Sequence, residues 1–391
     1  MSRTRLFVLV VSAPIIAFAL VGGVLGQAMA RDETYAHLRV FQDVISLVLN
    51  NYVEDVRIDR VMTGAMRGLA DGLDADSAYL TPDQVKVLEG HQSAGPAGVG
   101  LQLTRQYYLR VVSARDDSPA SRAGLRPGDY VRAIDDTPTR NMSAWDGDRR
   151  LRGASGTTVR LTVIRGNAAD PHAIELVREV APTAASAMKS RMADAQTGYV
   201  RVIDFGSRVA ERLTAQIAEL QKTGATRVIL DLRGAAWGDY ENGIAAARLF
   251  VRSGTLTVRQ GKGDVRETIA ANAGDGGLTL PVALLVDQGT SGAAEIFAGA
   301  LAGHGRATLV GEKTLGRAAH QKLVKLADGS GLWLSHIRYL TPGGTPIHEK
   351  GLTPDVEVDQ PDVEFGQPAP AGDPTMQKAI DALDLARKTA A

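Results

Sequence analysis

Cysteine is absent from the 391 residues, which removes disulfides, thiolate nucleophiles and Cys-based metal sites together. Net charge is missing too. Lys+Arg and Asp+Glu both total 44, so the composition holds neither a nucleic-acid footprint nor a funnel for charged substrates. The seven histidines are scattered, and none falls in a spacing such as HExxH. No metal and no other cofactor is therefore expected. The length is enough for two or three domains with real cores.

The amino terminus is more specific. "MSRTR" carries two arginines, an uncharged apolar run extends from Leu6 to Gly26, and Ala28-Met29-Ala30 offers a small-x-small site before Arg31-Asp32. A positive end, an apolar run and an A-x-A site read as an export signal. The run is also long enough to stay as a single membrane anchor. Either way the rest of the chain is expected outside the cytoplasm, exported or periplasmic, with membrane contact only through an uncleaved N-terminal segment.

Four further regions follow. Residues 32–93 have helical periodicity, with Leu38, Phe41, Val44, Ile45 and Val48 on one face and Thr81-Pro82 as a helix start. Residues 94–180 turn to β-branched runs of strand length, "YYLRVVSA" and "TTVRLTVIRG", around "SPASRAGLRPGD". That order resembles a circularly permuted PDZ domain, with Gly98-Val99-Gly100-Leu101 at its carboxylate-binding loop. Such a loop captures a terminal carboxylate on bare N–H groups while the tail adds as a strand. From 181 to 366, after a linker over 181–195, strands alternate with helices, which argues for βαβ units and a mostly parallel sheet. Residues 367–391 predict a tail helix. The fold class is thus α/β and multidomain, behind a signal or anchor at 1–31.

"GTSGAAEIF" at 289–297 then looks like a nucleophile at a helix start, with Ser291 as its hydroxyl. The wider set of motifs decides how it is read. "LDADSAYLTPDQ", "GVGLQL", "SPASRAGLRPGD", "VILDLRG", "AAEIFAGALAGHGRATLVGEKTLG" and "YLTPGGTPIHEKGLTPDVEV" occur in the order of the C-terminal processing (tail-specific) serine peptidases, and the chain resembles that family over nearly all of its length after the leader. The resemblance implies a helical segment, a PDZ domain and an α/β core bearing a Ser–Lys dyad. It places the nucleophile three residues before Glu295, which is Gly292, and the base at Arg317 in "TLGRAAHQ", with Gln321 retained. It places the oxyanion turn at Gly234, Ala235, Ala236, Trp237 and Gly238.

A glycine cannot attack, a guanidinium cannot act as a base at any accessible pH, and a Trp sits poorly in a turn meant to present bare N–H groups. The expected function is therefore that of an exported, proteolytically inactive homologue that binds protein tails or serves as an adaptor, self-associating or pairing with an active relative. Arg317 is then a candidate to hold a peptide carboxylate. The alternative is an active serine endopeptidase with a relocated nucleophile, Ser291, served by Lys313 or His320 as base.

Overall fold

The computed structural model describes residues 35–390 except 167–169, 182–187, 264, 362, 366 and 368–371. The apolar run Leu6–Gly26 lies outside the described residues. Among those residues no helix is long and apolar enough to cross a membrane. The chain divides into a unit up to Met66 and a second from Arg67 onward. In the first, residues 35–51 are helical.

In the second unit the sheet at the core runs Met188–Met192, Thr197–Val202, Arg227–Asp231, Val282–Val286, Ala307–Gly311 and Val356–Glu357. The first pair is antiparallel and every later pair is parallel. Arg227–Asp231 and Val282–Val286 are buried along their whole length, the second as a continuous apolar run and the first as an apolar centre between a buried Arg227 and Asp231, as central strands covered on both faces are. Helices Val209–Lys222, Tyr240–Arg248 and Ala293–Gly303 pack into one cluster with this sheet, around Phe205, Leu213, Ile217 and Phe297. Pro374–Ala390 forms the tail helix, and its Ala379 and Leu383 pack with Ile229 and Leu285.

Two expectations need correction. The 181–195 stretch is a linker only in part, because Met188–Met192 is the edge strand of the core sheet. The segment before 93 is not purely helical either. Ala78–Leu80 is a strand paired antiparallel with Gly331–Leu340. Helix Pro82–Glu89 follows, and its start holds: Thr81 and Gln84 form a reciprocal capping box with Pro82 in the first turn.

Residues 97–180 form a separate β domain. Its sheet runs Leu101–Gln106, Tyr108–Ala114, Tyr130–Ile134, Thr158–Ile164 and His172–Val177, so Leu101–Gln106 is an edge strand. Helix Ala144–Leu151 packs on that strand, where Gly147 leaves room for Leu103 and Leu109. The groove between edge strand and helix is the arrangement that strand addition requires.

Candidate active site and tail groove

Strand Val282–Val286 ends at Asp287, and the chain turns through 288–292 into helix Ala293–Gly303. The Asp287 carboxylate ties the turn by accepting from the amides of Gly234 (2.8 Å) and Gly289 (3.0 Å) and from the Thr290 hydroxyl (3.1 Å). Burial pushes the Asp287 carboxyl up. Ser291 is buried, and its amide donates to the Ala235 carbonyl at 2.9 Å. Lys313 is exposed, and no hydrogen bond joins it to Ser291. His320 points instead to the Tyr339 hydroxyl, 2.8 Å away, and packs edge-on against Tyr240. Gln321 donates to the Ala319 carbonyl and the Ser335 hydroxyl. The structure does not assemble Ser291, Lys313 and Gln321 into a hydrogen-bonded set.

Gly292 has φ 64° and ψ −120°, a strained turn of the kind that mounts a nucleophile. A Cβ built there would lie 3.6 Å from Tyr240 Cε1 and 3.7 Å from the Arg317 carbonyl oxygen, so a side chain has space. Glu295, fully buried, fixes both halves of the site. Its carboxylate accepts from the amides of Gly292 (3.0 Å), Gly316 (2.6 Å) and Arg317 (2.8 Å), and from the Thr314 hydroxyl. Burial raises the Glu295 pKa, and these donors offset only part of that penalty.

The Arg317 side chain is already partnered. Its Nε lies 2.8 Å from Asp76 Oδ1, and its Nη1 donates to the Leu103 carbonyl at 3.3 Å. The Asp76 carboxylate beside it holds the guanidinium more firmly protonated than usual. The expectation that Arg317 holds a peptide carboxylate is corrected on this point, since Asp76 already fills that role. Nothing in local sequence pattern links residues so far apart.

The turn at 234–238 is committed elsewhere. The Gly234 amide is bonded to Asp287, and the Ala235 amide donates to the Leu232 carbonyl at 2.9 Å. Trp237–Gly238 pairs with Asp204–Phe205, and a Cβ at Gly238 would meet the Phe205 carbonyl at 2.2 Å. The Trp237 ring carries Arg115 over its face at 4.5 Å, and Arg115 is held by Asp204 at 2.8 Å. Trp237 therefore joins Val99, Gly100, Leu101, Leu151 and Ser118 in lining a cavity of about 340 Å³ at the carboxylate-loop end of the β domain. Gly100 has φ 75°, and a Cβ there would sit 2.3 Å from that of Ser118, so only glycine fits. Among the described residues the amides of Val99 and Gly100 have no backbone acceptor.

The family model for Peptidase family S41 matches residues 196–358, and the PDZ domain model matches 110–165. A carboxyl-terminal-processing protease of Synechocystis sp. is 34% identical over 310 residues, covering 78% of this chain and 72% of its own. The chain belongs to peptidase family S41. The carboxy-terminal processing protease CtpA of Bacillus subtilis is 30% identical over 371 residues, covering 92% of this chain and 78% of its own. The solved structure of a photosystem II D1 C-terminal processing protease superposes with a TM-score of 0.68 at 27% identity, over 80% of this chain and 85% of that one. The S41 frame is present here as N-terminal helices, a PDZ domain and an α/β peptidase core.

Beside this frame lies a buried titrating pair. His348 Nε2 sits 3.9 Å from Asp74 Oδ2, both side chains being about nine-tenths buried. Burial alone would depress the His348 pKa, but Asp74 and Asp76 more than offset it, and the net shift is upward. Its stabilising effect is then complete below the unfolded histidine value of about 6.5 and is lost as pH rises through the higher folded value. Urea midpoints measured between about pH 6 and about pH 8.5 are expected to fall, and His348→Gln is expected to flatten that fall. An equal slope in the variant would assign the effect to another group.

Proposed function

We propose that this S41 homologue is an exported tail-binding or adaptor protein that does not cleave what it binds. The observation that carries the reading is the pairing of Arg317 with Asp76 beside a side-chain-free Gly292. The backbone frame of the site is held by Glu295, but the frame mounts neither a nucleophile nor a base. The glycine loop with its free amides, opening into a cavity of mixed polar and apolar lining, supports capture of carboxyl-terminal tails. The arginines, apolar run and A-x-A site at the amino terminus support an extracytoplasmic location, with that run either removed as a leader or kept as an anchor. Pairing with a second copy or an active relative belongs to the same reading.

The purified chain is expected to leave an unstructured tagged substrate intact over hours, while a peptide with a free carboxyl end binds at least about tenfold tighter than its amide. Turnover that disappears in Ser291→Ala would reverse the reading in favour of a relocated nucleophile. Even about 1 Å of misplacement costs an active site on the order of 10²-fold, and Ser291 is one residue off the strained position and buried.

A further inference from the structure

Arg317 reaches the one strand edge that a bound tail needs. Leu101–Gln106 ends its sheet, so one side of the strand has no partner strand. Which of its residues face that side follows from the neighbouring strand. Val111 lies opposite Leu103, and Val111 spends its own N–H on the Asp129 carbonyl (2.7 Å) and its carbonyl on the Gly128 amide (2.9 Å). Val111 thus bonds away from Leu103, and in an antiparallel ladder the facing residue of a non-bonded pair also points its groups outward. The Leu103 carbonyl is therefore on the free edge, and Arg317 Nη1 donates to it.

The position on that edge has a meaning for a ligand. A terminal carboxylate seated on the Val99 and Gly100 amides runs its chain back along the edge, bonding at every second residue. Leu101 is the first such position and Leu103 the second. The Leu103 carbonyl is then the acceptor for the N–H of the third residue from the end of the tail.

We propose that Arg317 is a displaceable cap on the PDZ strand edge, so that the groove takes the last two residues of a tail freely and admits a third only by expelling the guanidinium from Leu103. This rests on the tail-binding reading above. Asp76 is what holds the cap in place, because it anchors Nε while Nη1 bonds Leu103. An arginine at this position thus couples the peptidase core to the length of tail that the PDZ groove accepts.

The test uses the full chain and two probes with free carboxyl ends, the pentapeptide Gly-Ser-Gly-Ala-Val carrying fluorescein and the dipeptide Ala-Val as its competitor. Their affinities are compared by fluorescence anisotropy in the native protein, in Arg317→Ala, and in Asp76→Asn combined with Arg317→Met. The double variant removes both charges at similar volume, so it keeps the test decisive if Arg317→Ala alone unfolds around a stranded Asp76. Pentapeptide affinity is expected to rise about tenfold in the variants, the worth of one charge-assisted hydrogen bond, with the dipeptide unchanged. Pentapeptide affinity that stays level or falls in the double variant overturns the cap. Equal binding of the free pentapeptide and an amidated control of the same sequence to all three proteins overturns the tail-binding reading, and the cap with it.

Discussion

Hydrolysis of an unstructured tagged substrate is expected from the triple variant Asp76→Asn, Gly292→Ser, Arg317→Lys, and not from the native chain. The serine is sterically admissible, since a Cβ at 292 meets only Tyr240 and the Arg317 carbonyl at ordinary contact distances. Its positive φ costs on the order of 1–3 kcal/mol, which the surrounding hydrogen bonds must absorb. Glu295 already pins the amides of 292 and 317, so both new side chains start from a fixed backbone. The lysine is the more demanding member, because only its neutral amine can take the serine proton.

Asp76 decides how often that amine is neutral. It stands 2.8 Å from the present guanidinium, and a carboxylate that close raises an amine pKa by roughly 1–3 units. Each unit removes about nine-tenths of the neutral fraction at a fixed pH below the pKa. The double variant Gly292→Ser, Arg317→Lys is therefore expected to show little turnover, and Asp76→Asn to raise it by about 10- to 10³-fold. The ceiling stays low, because the Gly234 and Ala235 amides are bonded inside the fold and a missing oxyanion donor costs on the order of 10²–10³-fold. The readout is loss of full-length substrate with time. Equal rates in the double and triple variants would remove Asp76 from this account.

The sequence makes some of this visible and hides the rest for identifiable reasons. Long strands and helices, the glycine loop at 98–101 and the elbow at 289–295 are written in local periodicity and turn chemistry, and the order of motifs is enough to identify the family. Ala78–Leu80 is too short for any period to emerge, and it is a strand only because Gly331–Leu340 offers it an edge. Met188–Met192 reads as linker because its middle three residues are exposed, leaving one half-buried methionine at each end as the whole apolar signal. At position 317, residue type alone excludes a base, but the partner that binds the guanidinium comes from a distant turn. The bulk of Trp237 argues against an oxyanion turn, whereas its place in the wall of the PDZ cavity depends on how two domains meet. Core patterning is local information, while a site built across domains is not.

Glu295→Ala is expected to cost about 3–5 kcal/mol, enough to unfold a protein of ordinary stability or to lower its denaturation midpoint sharply. The residue has no solvent exposure, and its two oxygens accept four hydrogen bonds, three from backbone amides and one from Thr314. Alanine would strand all four donors in the buried space left by the carboxylate, and each stranded donor costs about 1–3 kcal/mol before relaxation or water entry. The carboxylate also suffers from burial, as its raised pKa records, so the loss falls short of the sum of the four bonds. Urea denaturation followed by tryptophan fluorescence measures the effect. Thr314→Val serves as the scale, since it leaves the three amide bonds to Glu295; it removes the hydroxyl donor and strands the Leu352 amide that donates to that hydroxyl, and should cost about 1–3 kcal/mol. A Glu295→Ala penalty no larger than that of Thr314→Val would mean that the loop at 314–317 and the helix start at 292 hold their positions without the carboxylate. The retained frame around Gly292 would then be a consequence of packing rather than of Glu295.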